Sequence, residues 1–83
     1  MQANEIIDLV RPVLDQLLRE EPHYFCVSVK VKPTHNIKIY LDGDQGLSIE
    51  KCSFFNRKLY RIIEEAAWFE DGDFSLEVSS PGI

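Results

Sequence analysis

Four residues of this chain, Phe54, Arg57, Lys58 and Arg61, stand at spacings of three, four and seven, so any helix running through them gathers all four on one side. An exposed ring among cations can stack on a base or pack on a partner, while arginine binds phosphate or carboxylate through its planar fork. The plainer reading of the same residues is a solvated basic helix face with Phe54 folded back on its neighbours. A second set, Lys30, Lys32, Lys38 and Tyr40, recurs with period two and would share one face of a sheet beside Ser28, Ser75, Glu77 and Ser79. One tyrosine is a thin platform for bases, and lysines pairing Glu77 across strands describe an ordinary wet sheet face equally well.

Other candidate motifs carry less. Gly43-Asp44-Gln45-Gly46 spells the GXXG that clamps nucleic-acid phosphates between two helices. Here, however, it joins an expected strand to a helix, and Asp42 and Asp44 repel phosphate. It also resembles the start of a calcium loop but lacks the third oxygen ligand in the right place and the glutamate twelve positions along, which leaves a plain turn. His23 and His35 stand in turn-like segments without ligands at metal spacing and read as solvated residues. Cys26 and Cys52 are 26 positions apart, a pattern of neither a disulfide framework nor a zinc site. Cys52 is expected in the core, Cys26 on the polar sheet face. Ser79 and Ser80 lack the frame and neighbouring base of a nucleophile. With no convergent acid, base, nucleophile or metal ligands, the chain reads as a non-enzyme with no cofactor and no small-molecule substrate.

The net charge of −5 excludes a bulk polycation, but its distribution is uneven. Residues 1–29 hold two basic and five acidic groups, residues 30–61 seven and three, and residues 62–83 none and six. The middle is therefore cationic between two acidic ends. At a Debye length of about 8 Å such patches act nearly independently. No apolar run approaches a membrane span and the N-terminus lacks a basic leader, so a cytoplasmic protein that makes no use of a membrane is expected.

Eighty-three residues bound the fold to one small domain. Ile6, Ile7, Val10, Val13, Leu14, Leu17 and Leu18 predict an amphipathic helix over 4–19, capped by Asn4 and kinked or started late by Pro12. Phe25, Val27, Val29 and Val31 alternate with Cys26, Ser28, Lys30 and Lys32, which predicts a strand with the first set in the core. After the turn at 33–36, Ile37, Ile39 and Leu41 predict a second strand and a hairpin. Ser48 caps a second helix over 49–67, whose apolar arc is Cys52, Phe55, Leu59, Ile62, Ile63 and Ala66, with Phe54 mid-way along the polar side. Phe74, Leu76 and Val78 predict a third strand. The order α-β-β-α-β implies an α+β two-layer sandwich, a three-stranded sheet covered on one face by two helices.

The closing string Leu76-Glu77-Val78-Ser79-Ser80-Pro81-Gly82-Ile83 resembles the signature that ends the N-terminal domain of RimP, the bacterial ribosome maturation factor family. Leu9-Val10-Arg11-Pro12-Val13-Leu14 resembles that family's first helix with its internal proline, and Gly46-Leu47-Ser48-Ile49 through Cys52, Asn56 and Arg57 resembles its second. The resemblance spans the whole chain. It implies a non-enzymatic factor in assembly of the small (30S) ribosomal subunit, with the immature particle, its rRNA and a decoding-region ribosomal protein as partners. It implies Arg57 as the foremost contact of its helix face. It also implies that Ser79, Ser80, Pro81 and Gly82 form an interdomain turn leading to a second, SH3-like domain, absent from a chain that stops at Ile83. Residues 1–83 are thus expected to be the N-terminal domain alone. A reading from another class is a free-standing KH-like single-stranded RNA-binding module using the Lys30, Lys32, Lys38 and Tyr40 face.

Overall fold

A computed structural model of the chain describes residues 2–81, leaving the side chain of Asp71 aside. The element order is α1 (Ala3–Arg19), β1 (Tyr24–Lys32), β2 (Asn36–Gly43), α2 (Ile49–Ala66), a single 3₁₀ turn (Glu70–Gly72) and β3 (Ser75–Ser79). This is the α+β order expected. The sheet runs β1-β2-β3, with β1 antiparallel and β3 parallel to the central β2. A parallel β2–β3 pair needs a crossover, and α2 supplies it. Both helices lie on one face, where Ile6, Val10 and Leu14 of α1 meet Phe55, Leu59 and Ile63 of α2 over Ile37, Ile39 and Leu41.

The α1 cap lies two residues earlier than Asn4. The helix begins at Ala3, and the Gln2 amide donates to the Glu5 carboxylate at 3.3 Å, the returning half of a capping box. Pro12 neither starts nor ends the helix, which runs unbroken through it. Its ring sits on the exposed side, away from the buried Val10 and Leu14. For α2, Ser48 is the cap as expected, its hydroxyl accepting from the Lys51 amide at 3.1 Å. The helix closes on Ala67, which adopts a left-handed φ of 54°.

The largest departure from the sequence pattern is in β1. The pairing register slips between Cys26 and Ser28, a β-bulge at Val27. One extra residue exchanges the two faces of a strand. Val29 and Val31 therefore face the helices as expected. Upstream of the bulge, Tyr24 and Cys26 do so instead, while Phe25 and Val27 are 47% and 48% exposed. The placement of Phe25 and Val27 in the core, and of Cys26 on the polar face, is thereby corrected.

The α2 arc is narrower than its periodicity suggests. Phe55, Leu59 and Ile63 are buried, Cys52 and Ile62 are partly covered, and Ala66 is exposed in the last turn. The segment 68–74 adds core that alternation did not reveal: Phe69 is buried and stacks on Phe74 at 5.2 Å, which in turn stacks on Tyr60 at 4.7 Å. His35 joins this row at 4.7 Å from Phe69, and its Nδ1 lies 3.2 Å from the carbonyl of Asp73. It is not the solvated turn residue expected. The β1–β2 turn throws it inward with φ of 55°. His23 does remain exposed, 3.6 Å from Asp44.

Candidate partner-binding surface

Arg57, Lys58 and Arg61 project from the exposed side of α2, one turn apart. Among the described residues Arg57 and Arg61 form no ion pair. Phe54 is not at the middle of this side. It is partly buried against the core, its ring meeting Phe55 edge-on at 5.5 Å and 71°. Lys58 covers it from the exposed side, with the ammonium 5.2 Å from the ring centre. Phe54 thus forms the apolar base of a cationic face rather than a ring free to stack.

A further cation, Lys51, is bound into the same corner. Its ammonium lies 2.7 Å from Glu21 Oε1 and 4.4, 5.5 and 5.7 Å from the ring centres of Phe54, Tyr24 and Phe55. An ammonium partly covered by aromatic faces and neutralised by a carboxylate is a tether, joining the end of α1 to the first turn of α2. The sequence analysis missed it because Glu21 and Lys51 are 30 positions apart and neither position shows periodicity.

The helix-free face of the sheet assembles the second set. Cross-strand pairing places Lys30, Lys38 and Glu77 in one row, Ser28, Tyr40 and Ser79 in the next, and Lys32, Asn36 and Ser75 in a third. Lys38 is 3.5 Å from Glu77, and the Lys30 ammonium lies 5.7 Å over the Tyr40 ring. The bulge in β1 adds Phe25 and Val27 to this face, an apolar margin that strict alternation hid.

The two sets lie on different layers, α2 and the sheet. An open groove of about 880 Å³ runs along α2, walled by Arg57, Tyr60 and Arg61 on the helix and by Leu76 on β3. A smaller one of about 250 Å³ continues it past Ile49, Cys52 and Asn56 to Val78. The Asn56 Oδ1 between them is shielded and accepts no hydrogen bond.

The remaining motifs take structural roles. The 43–46 loop closes as a turn, with the Gly46 amide on the Gly43 carbonyl at 3.0 Å. Gly46 has φ of 84°, and a β-carbon on Gly43 would meet the Gly46 carbonyl at 2.7 Å, so both positions call for glycine. Asp42 is not in the loop as expected but in the last residues of β2, opposite Phe25, where its carboxylate accepts from the Gly43 amide at 2.8 Å. Among the described residues no cluster of potential metal ligands occurs, and no helix is long and apolar enough to cross a membrane. Both cysteines are free; burial pushes each thiol pKa up, and for Cys26 the cation of Arg11 opposes that shift while Asp15 adds to it. In the closing turn Ser79 is partly covered, Ser80 is buried and Pro81 is exposed; Gly82 lies outside the described residues.

Residues 9–83 match the model of the RimP N-terminal domain. Among curated proteins the chain is 38% identical over 77 residues to the ribosome maturation factor RimP of Cytophaga hutchinsonii, covering 89% of this chain and 46% of that protein. The RimP of Christiangramia forsetii is 32% identical over 74 residues, with the same shares covered. That of Chlorobium limicola is 40% identical over 65 residues, covering 71% of this chain and 37% of the relative. The chain therefore spans about half the length, or less, of the curated relatives it matches.

Proposed function

This chain belongs to the RimP family, and from that membership we propose that it acts in ribosome maturation by binding the immature small (30S) ribosomal subunit, without chemistry of its own. In this reading residues 1–83 work as the family's N-terminal domain, and Ser79, Ser80, Pro81 and Gly82 set the direction in which a following domain would leave. The partners are rRNA and a ribosomal protein of the decoding region, met in the cytoplasm. A factor that binds one conformation of the particle more tightly than another shifts its population by that difference in affinity, so assembly can be assisted with no catalytic group.

The observation that carries the proposal is the α2 face. Arg57 and Arg61 are exposed and free of carboxylate partners among the described residues, in a chain whose net charge is −5. Acidic groups stand at both ends of the sequence, yet these guanidinium groups remain available for phosphate. Lys58 adds charge, and Phe54 beneath it keeps that ammonium close to the helix.

Sedimentation through sucrose gradients tests this directly. The expected result is co-sedimentation with small subunits and not with large ones, weakening as salt rises. Arg57→Glu with Arg61→Glu should leave the circular dichroism spectrum unchanged and flatten the logarithmic salt dependence by about 1 to 2, corresponding to the two lost phosphate contacts. No small-subunit association at low salt, or unaltered association by a folded double variant, overturns the proposal.

A further inference from the structure

Four rings form a row that ends in the open. His35 lies 4.7 Å from Phe69, Phe69 stacks on Phe74 at 5.2 Å, and Phe74 stacks on Tyr60 at 4.7 Å with the two planes 29° apart. Phe69 is buried, whereas Tyr60 is 39% exposed and walls the groove between α2 and β3. Phe74 takes one face of the tyrosine ring, which leaves the other for a planar group entering that groove.

The groove carries the charge that the chain as a whole lacks. Asn56 and Tyr60 stand one turn apart in one stripe of α2, and Arg57 and Arg61 form the stripe beside it. Both guanidinium groups are free of carboxylate partners among the described residues. Glu64, one turn beyond Tyr60, gives the groove an acidic end, so anionic groups are drawn toward Arg57. Asn56 Oδ1 is shielded and accepts no hydrogen bond, a lone acceptor that an N–H donor in the groove would satisfy.

Resting on the reading that α2 meets rRNA, we infer that this groove holds an unpaired nucleotide, its base stacked on Tyr60 and its flanking phosphates on Arg57 and Arg61. Stacking on an aromatic side chain and pairing of phosphate with guanidinium are the two contacts by which proteins hold single-stranded RNA. The bases of a duplex are already covered by their neighbours, so a loop, bulge or end fits and a continuous helix does not. An acidic peptide matches the cations but makes no use of the ring.

The ¹³C,¹⁵N-labelled 83-residue chain is titrated with single-stranded hexacytidylate, with a blunt RNA duplex of equal phosphate count, and with hexaglutamate. The expected result for the single strand is saturable shift changes over residues 56–64 and an upfield move of the Tyr60 ring protons, with the duplex and the peptide at least tenfold weaker. Tyr60→Leu should weaken single-strand binding about tenfold at an unchanged salt slope, whereas Tyr60→Phe, which keeps the ring, should bind as the parent does. Equal affinity for the duplex or for hexaglutamate, or undiminished binding by a folded Tyr60→Leu chain, overturns the nucleotide site. Should Tyr60→Leu unfold, the comparison of single strand with duplex on the unmodified chain decides. Sucrose gradients separate this site from the reading beneath it: small-subunit association untouched by Tyr60→Leu overturns the nucleotide site alone, and no association by the unmodified chain overturns both.

Discussion

The tether formed by Lys51 gives a stability prediction that can be worked from the geometry. Replacing Lys51 by methionine keeps most of the stem and removes only the ammonium, which lies 2.7 Å from Glu21 and 4.4 Å from the Phe54 ring centre. The side chains of Lys51 and Glu21 are 27% and 26% exposed, between the fully wet and the fully buried case. Exposed pairs contribute about 0.2–1 kcal/mol, whereas breaking a buried pair costs about 3–5 kcal/mol. The aromatic contacts add about 0.5–1 kcal/mol. A loss of about 1.5–2 kcal/mol is therefore expected for Lys51→Met, part of it from the Glu21 carboxylate left without its partner. At about 4–8 °C per kcal/mol for a domain of this size, Tm should fall by roughly 10 °C. The assay is urea unfolding of the chain, Lys51→Met, Glu21→Gln and the double variant. The expected coupling energy is about 1 kcal/mol, with unchanged m values. Because the pair is partly shielded, 1 M salt should reduce that coupling without abolishing it. Additive single effects, with coupling indistinguishable from zero, would refute the reasoning and reduce Lys51 to a surface lysine lying near three rings.

Two further substitutions test the backbone. If the bulge sets the faces of β1, Val27→Thr should change stability by less than about 0.5 kcal/mol, while Val29→Ala, made at a buried site, should cost about 1–3 kcal/mol; equal costs in urea unfolding would contradict the bulge. Ala67 ends α2 in the left-handed region, where a β-carbon is strained, so Ala67→Gly should raise stability by about 0.5–1 kcal/mol and Tm by a few degrees, and a lower Tm would argue against that cap.

Much of the architecture was legible because it rests on periodicity. The apolar spacing of α1, the Ser48 cap of α2 and the alternation of Ile37, Ile39 and Leu41 are local signals, and the structure repeats them. Where a signal needs two distant partners, the reading stopped. Asn4 is a good capping residue, but a glutamate three positions beyond Gln2 made the earlier start the better one. His35 looked solvated because the rings it stacks with lie in 68–74, a segment without a regular period. The exposure of Arg57 and Arg61 was readable from the helix; the retreat of Phe54 toward Phe55 was not, since it depends on where α2 lands on the sheet.

The amino-acid sequence by itself determined the element order, the two-layer class, the uneven charge and, through its closing motif, the family. Each depends on neighbours along the chain. The tertiary structure decided the strand order and the parallel β2–β3 pair, because pairing partners are chosen by the crossover and by packing. It also decided which face of β1 is wet. A single unpaired residue at Val27 exchanged that face, a change with no signature in an alternating string of valines and one that only the register against β2 could reveal.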